Sequence, residues 1–392
     1  MALRGGQVSP FLARICDLPL KGGVKGVADR SCGEALTGMR AVVIGAGIGG
    51  ATGALALAEI GVEVEVHEAG ARPVEDWGWV TLGPAAMTGL DQVGVADSLR
   101  AVGFPVTKVR TVDIATGAAS EFSRTEPTHR YSSTHVWRQD LISILRNQLE
   151  TLGVSCHYDS SATAADLDAD LIVGADGSRS ATRRSLGNLV DPAYTGEIIR
   201  YGHHPRPVAG LPTGVLHFWR HGNGVAGYVG DARDGSFWFS RHQSDSPTAT
   251  VDLPTMIVPL RDTPVGPVLD GSRVSRPIAL YDLDPTDVWH RGHTVVIGDA
   301  AHALSPAAGR GATSSIEDAV ILAKYLRQNQ FAVHQALESF TSNRRPVALA
   351  AYRPTPGQRP VAATAEELDL RAQPSSERPA AGPKAPRTQS SA

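Results

Sequence analysis

Gly45, Gly47 and Gly50 stand at G-x-G-x-x-G spacing in "VVIGAGIGGATGALALAEIG", residues 42–61. At this spacing the first glycine permits a tight turn, the second lets the backbone approach a pyrophosphate, and the third lets a helix pack closely on a strand. The helix N-terminus then stabilises the anion. The surroundings suit that chemistry. Val42, Val43 and Ile44 form an apolar strand before the loop, and an Ala/Leu-rich helical stretch follows it. Val62, Val64 and Val66 then alternate with polar residues and lead to Glu68. This is near the spacing of about 20 residues at which an acid holds a ribose hydroxyl. A second match, "GNGVAG" at 222–227, lies between the strand-like runs "VLHFW" and "YVGDARDGSFWF" with no helix to follow; it reads as a hairpin turn. One dinucleotide fingerprint remains.

Two further strands end in glycine corners. "DLIVGADG" carries Asp176 and Gly177, and "HTVVIGDAAHALSPAAGRGATSSIEDA" carries Asp299, Pro306, Gly309, Gly311 and Ala312. Ligands of an open α/β sheet sit beyond the carboxyl ends of its strands, so three such corners in one parallel sheet would converge on one long ligand. Asp299 suits a polyol chain by accepting its hydrogen bonds, although an aspartate there also suits a helix N-cap. The backbone N–H groups of 309–312, entering a helix, would stabilise charge on a ring. A dinucleotide with a polyol linker and a ring that gains negative charge on reduction is FAD.

These motifs, in this order from Met39 to Pro346, resemble the single-component (group A) FAD-dependent monooxygenases of the para-hydroxybenzoate hydroxylase type. "VWRQDLISIL" adds a strand-end arginine followed by an acid and a leucine, and the resemblance implies Arg138 near the ribityl or pyrophosphate portion of FAD. It also implies Asp176 and Gly177, with Arg183, in FAD and NAD(P)H binding; a solvated helix charge is the alternative for Arg183. The implied reaction is reduction of FAD by NAD(P)H, formation of a flavin C4a-hydroperoxide with O2, and insertion of one oxygen atom into an organic substrate. That substrate would be small or mid-sized, apolar or aromatic or polyketide-like, as in secondary metabolism. A reductase or oxidase without oxygen transfer, or a silent flavin-binding protein, uses the same motifs. There are departures. Arg72 is shifted from the family's usual position, and Arg310 and Thr313 replace the usual Gln and Asn. The C-terminal helical region gives way early to a Pro-rich segment.

Positioning such corners takes an α/β fold, here an α+β composite: a Rossmann-type FAD-binding domain with an inserted antiparallel-sheet substrate domain. Residues 1–38 read as a disordered or non-native leader, 39–185 as the first part of the FAD-binding domain, and 186–284 as the substrate sheet. Residues 285–351 read as the second FAD-binding part with a helix closed by Pro346, and 352–392 as a disordered tail that buries too little apolar surface to order. Trp219, Tyr228, Trp238, Phe239 and His217 are candidates to line the substrate pocket, with ordinary core the favoured reading. His302 reads as a packing or capping histidine. No catalytic residue is singled out, because the cofactor performs the hard step.

The totals bound the rest. The 392 residues carry a net charge of -3, which argues against nucleic acid as a partner. No apolar run of about 18 residues suggests a membrane span. The three cysteines share no metal-like spacing, so no metal is expected, and they fit a reducing, cytoplasmic setting. Oligomeric state stays open.

Overall fold

The computed structural model describes residues 38–72, 78–125, 129–222, 224–248, 253–284, 287–304, 309–352 and 362–372. The fingerprint folds as β1 (Arg40–Ile44), α1 (Ile48–Glu59) and β2 (Glu63–His67). Helix α1 is buried along most of its length from Ile48 to Leu57, which explains why its sequence is apolar and small all round and not amphipathic. The chain continues through β3 (Trp79–Leu82), α2 (Pro84–Gln92), α3 (Ala96–Val102), β4 (Phe104–Val106), β5 (Lys108–Asp113), β6 (Ala119–Ser123) and β7 (Ser133–Trp137). It then enters α4 (Arg138–Thr151), β8 (Ser155–His157) and β9 (Leu171–Gly174). After the short α5 (Ala181–Ser185) come four long strands: β10 (Ala193–His204), β11 (Val215–His221), β12 (Gly224–Asp231) and β13 (Gly235–Gln243). Next are α6 (Leu253–Arg261), α7 (Gly266–Leu269), β14 (Arg273–Val274), β15 (Ile278–Asp282), β16 (His290–Arg291) and β17 (Thr294–Val296). The last helices are α8 (Asp299–His302), α9 (Gly311–Gln328) and α10 (Val333–Tyr352).

Among the described residues, one sheet runs β16-β17-β9-β1-β2-β8. Its pairs are parallel except β16 with β17. The parallel strands therefore lie in the chain order third, second, first, fourth, fifth, the doubly wound arrangement, with the reversal between β1 and β9. Strand β1 is buried after its first residue, as expected of a central parallel strand. Helix α1 packs between this sheet and α9, where small residues permit close approach. A Cβ on Gly49 would lie 3.2 Å from the Cβ of Ser315, and one on Gly53 would touch Ile297 and Ala319.

The second sheet runs β14-β10-β13-β12-β11-β5-β6, with β15 also on β10. It is antiparallel through β10 to β13, as the composition of 190–284 suggests. Of the stretch 222–227, residues 224–227 belong to β12, which pairs antiparallel with β11 from His221 opposite Gly224, and no helix follows it. One segment differs from the sequence reading. Strand β5 pairs in parallel with β11 and carries β6 at the sheet edge, so residues 108–123 extend this sheet although they fall within 39–185. Only the first three residues of β5 alternate cleanly, so its own sequence does not say which sheet it joins. A third, small sheet of β3, β7 and β4, whose strands flank β5 and β6 in sequence, carries aromatic residues toward the second.

The C-terminal end corrects two expectations. Helix α10 does not stop at Pro346 but runs on to Tyr352. Proline removes one intrahelical hydrogen bond, and burial of Ala348 and Ala351 beyond it keeps the helix going. Nor is the whole of 352–392 a free tail: within 362–372, Ala363, Leu368 and Leu370 are buried in the main core. Thr364 and Glu367 cap each other's backbone, Glu367 Oε2 accepting the Thr364 N–H at 2.7 Å and Thr364 Oγ1 the Glu367 N–H at 3.2 Å. Low hydrophobicity over the whole segment hid these few anchors. No helix among the described residues is long and apolar enough to cross a membrane.

Candidate active site

The three glycine corners meet. The Ala175 N–H donates to Ile44 O at 2.8 Å, and the Ile297 N–H to Gly174 O at 3.0 Å, which locks the ends of β1, β9 and β17 side by side. Gly45 has φ +102°, and a Cβ there would stand 2.4 Å from Ala175 O. A Cβ on Gly50 would collide with Gly45 O at 1.8 Å. Gly47 differs: nothing lies within 4 Å of its Cβ position. The first and third glycines are thus required by the protein's own packing, whereas the second faces open space where a pyrophosphate would approach.

Glu68 ends β2 beside this loop. Its Oε2 accepts the Ala46 N–H at 2.6 Å and its Oε1 the Gly70 N–H at 2.7 Å. Arg146 backs the pair, with Nη2 3.4 Å from Glu68 Oε2 and Nε donating to Ala46 O at 3.0 Å. The sequence reading missed Arg146. Its signal is an arginine on the face of α4 that otherwise buries Leu141, Ile142, Leu145 and Leu149. Its Nη1 is buried without a partner and sits at the loop that would receive phosphates.

Arg138 is the first residue of α4, its N–H held by Gly78 O at 3.0 Å. It lies close enough to Asp299 to pull that carboxyl's pKa down. Asp299 follows Gly298, whose φ of +58° turns the chain out of β17. The residue is reachable from solvent, yet protein surrounds its carboxyl closely enough that lost hydration raises the pKa, against the pull of His302 and Arg138. A group both accessible and closely surrounded lines a concave wall. Gly311 opens α9 beside it, a Cβ there lying 3.8 Å from Asp299 Oδ1. Gly309 has φ +61° and open space at its Cβ position, and Ala312 packs partly against the core. Pro306 lies outside the described residues.

At the second corner Asp176 is committed to the chain itself. Its Oδ2 accepts the Thr182 N–H at 2.9 Å and the Thr182 hydroxyl at 3.0 Å, and Ser180 donates to its Oδ1 at 2.5 Å. It therefore shapes the turn through Gly177, whose φ is +78° with nothing near its Cβ position. Arg183 is fully buried, which removes the solvated-charge alternative. It donates through Nη1 to Ala300 O at 3.0 Å and through Nη2 to Val190 O at 3.2 Å, tying α5 to the Asp299 corner. Arg72 binds Asn147 and Glu150 on α4.

Behind the Asp299 corner lies a buried charge network. His302 Nε2 stands 2.6 Å from Asp318 Oδ2, which also accepts the Gly298 N–H at 2.9 Å. Arg344 Nε donates to Asp318 Oδ1 at 3.0 Å and its Nη2 to Glu317 Oε2 at 2.9 Å; Glu317 Oε1 accepts the Ala363 N–H at 3.1 Å. Burial pushes Asp318 upward, but His302 and Arg344 outweigh it and hold its pKa near about 2. Burial likewise opposes the protonated His302, yet Asp318 keeps its pKa above the ordinary value. His302 is thus a packing residue as read, and also half of an ion pair under the loop.

The aromatic candidates divide by strand alternation. Trp219, Tyr228 and Trp238 pack with Ile257, Leu260, Val265 and Leu269 in the core under α6 and α7. His217 stacks on Trp219 with centroids 5.6 Å apart. These four are core on the face away from the corners. Phe239 belongs to the other face, with Phe237, Tyr201, Trp79 and Phe104. Trp137, which leads into Arg138, meets Phe237 there at 5.0 Å.

Comparisons with known proteins agree with this geometry. A model of the FAD binding domain family matches residues 39–165 and 284–355. The chain is 28% identical over 351 residues to 3-amino-4-hydroxybenzoate 2-monooxygenase of Streptomyces cremeus, covering 79% of this chain and 84% of the relative. It is 30% identical over 356 residues to kynurenine 3-monooxygenase of Salinispora tropica, covering 78% and 76%. In fold it is similar to Klebsiella pneumoniae HpxO complexed with FAD and uric acid, with a TM-score of 0.69 and 22% identity over 81% of this chain and 87% of that one. The family match omits the stretch 166–283, which holds β9 with the Asp176 corner and most of the inserted sheet, and resumes ahead of the Asp299 corner. With FAD as its cofactor and NAD(P)H as co-substrate, the chain belongs to the group A FAD-dependent monooxygenases of the para-hydroxybenzoate hydroxylase type.

Proposed function

We propose that this enzyme inserts one oxygen atom from O2 into a small or mid-sized aromatic or polyketide-like substrate held against the Phe237–Phe239 face. The observation that carries this reading is the placement of that face. Tyr201, Phe237 and Phe239 meet Trp79, Phe104 and Trp137, and Trp137 runs directly into Arg138, beside Asp299. An apolar aromatic wall next to the flavin corner suits a flat organic ring and excludes water. FAD bound here would supply hydride acceptance from NAD(P)H and activation of O2. The protein's own residues do the holding. Gly45, Gly47 and Gly50 shape the pyrophosphate loop, and Glu68 with Arg146 orders it beside the ribose. Arg138 and Asp299 would hold the polyol linker, and the N–H groups at Gly309, Gly311 and Ala312 would stabilise charge on the ring. Asp176 and Gly177 fix the middle corner, and Pro306 belongs to the same loop by sequence. In domain terms, 39–185 and 285–351 make the FAD-binding domain and 186–284 most of the substrate sheet.

The test is anaerobic titration of the FAD-loaded protein with NADPH and NADH, followed by admission of O2 with a panel of hydroxylated aromatic acids and fused-ring phenols. Bleaching of the flavin and a product about 16 mass units heavier with ordinary O2 and about 18 heavier with 18O2 is the expected result. Bleaching with only H2O2 released for every substrate would favour the reductase or oxidase reading instead.

A further inference from the structure

The outer edge of the parallel sheet brings together two imidazoles and a carboxylate with no part in holding FAD. Glu65 and His67 lie two apart on β2 and so share a face; His157 is the register partner of His67 across the β2–β8 pair. Glu65 Oε1 stands 3.0 Å from His67 Nε2 and 3.0 Å from His157 Nε2. The donor atoms of all three residues fall within 4.8 Å of one another. The rings stack with centroids 4.9 Å apart and planes 20° apart, and both Nε2 atoms lie on the same carboxylate oxygen, so a modest turn of the two side chains brings them onto one cation. All three side chains reach solvent, at 35% for Glu65, 14% for His67 and 49% for His157. Ser160 Oγ lies 3.0 Å from His67 Nδ1.

We propose that Glu65, His67 and His157 form a binding site for a divalent late-transition-metal cation, Zn2+ in the first instance. Two imidazoles and a carboxylate are a recurrent zinc donor set, and an open side leaves room for water as the fourth ligand. With bonds of about 2.0–2.1 Å, tetrahedral donors stand about 3.3 Å apart. The present 3.0 Å contacts need to widen only by a few tenths of an ångström, which partly exposed side chains allow. The cation takes the place of the contacts between each Nε2 and the carboxylate. A metal-bound imidazole usually donates its other N–H to a fixed acceptor, and Ser160 Oγ stands where His67 Nδ1–H would need it. The site is separate from the ribose corner, because Glu68, the next residue, has both carboxylate oxygens on the Ala46 and Gly70 amides. The sequence reading expected no metal because it looked at cysteine spacing; the two histidines are 90 residues apart and only strand pairing joins them.

The test uses the FAD-loaded full chain in a non-coordinating buffer. Calorimetric titration with ZnCl2 should saturate near about one metal per chain. His157→Ala and Glu65→Gln should each weaken binding by more than tenfold, and Ser160→Ala by about tenfold. With CuCl2, the electron paramagnetic resonance spectrum should show coupling to two imidazole nitrogens in the native chain and to one in His157→Ala. Each variant's flavin absorbance confirms that it has folded. No saturable Zn2+ binding, or equal binding by the native chain and both Glu65→Gln and His157→Ala, overturns the proposal.

Discussion

Asp140 shows how a single position sets stability apart from chemistry. It sits in the first turn of α4 with Oδ2 buried and unpartnered, and burial, with Asp234 nearby, pushes its pKa up to about 6. The carboxyl is neutral in both folded and unfolded chains below its ordinary value of 3.8, so there it costs nothing. Between that value and about 6 the unfolded chain ionises first, and stability falls, reaching its full penalty above the folded pKa. Asp140→Asn should therefore raise the melting temperature at about pH 7.5 but not at about pH 4, with a gain of up to about 3 kcal/mol. Paired thermal melts at the two pH values check it. The glycines separate in the same way. Gly50→Ala should abolish soluble protein, since its Cβ meets Gly45 O at 1.8 Å. Gly47→Ala should fold with an unchanged apoprotein melt but retain little flavin, because only the ligand needs that space. Asp299→Ala should also purify pale, as judged by flavin absorbance per chain; full flavin in either would remove that residue from the binding surface.

At the scale of elements, the α9–α10 contact is an ion network in place of a purely apolar seam. Removing one partner of a buried pair leaves a charge without compensation, at a cost of roughly 3–5 kcal/mol. Arg344→Met leaves Asp318 with only His302 and Glu317 with only the more distant Arg310 as cationic partners, so urea unfolding should shift in that direction by up to that amount. The double variant with Asp318→Asn should recover part of it. The sequence announced α1, β1, β2 and the corners because glycine geometry and strand alternation are local signals. It did not announce Arg146, Arg344 or the middle sheet's use of 108–123, because those depend on partners a hundred or more residues away in the case of Arg146 and Ala46. Phe239 and Trp238 were read together from one aromatic run, yet adjacent strand residues face opposite ways and only the fold decides which face meets the flavin corner. Pro346 misled for a related reason: a local breaker lost to the burial of Ala348 and Ala351.

At the scale of the molecule, the C-terminal segment 362–372 clasps elements from both ends of the described chain. The Leu370 N–H donates to Gln92 Oε1 at 3.1 Å, and Leu368 lies over Gly89, while Ala363 is anchored to Glu317. Leu368→Ala should cost about 2–5 kcal/mol, the usual loss for a buried leucine, and a thermal melt of the FAD-loaded protein should fall accordingly. An unchanged melt would mean that the clasp is peripheral.

The insertion of the second sheet between β9 and β17 has a bearing on synthesis. On a ribosome, β1, α1, β2 and β9 emerge first, but the Asp299 corner emerges about 120 residues after Gly174. Until then the flank of β9 that β17 will cover stands open as an unpaired edge, and the helix that will face α1 has not been made. Such an early half-sheet is a sticky intermediate. Cofactor uptake thus belongs to the last moments of folding, so cells producing this chain too quickly should accumulate it as aggregate, whereas cells short of flavin should accumulate it as colourless soluble protein.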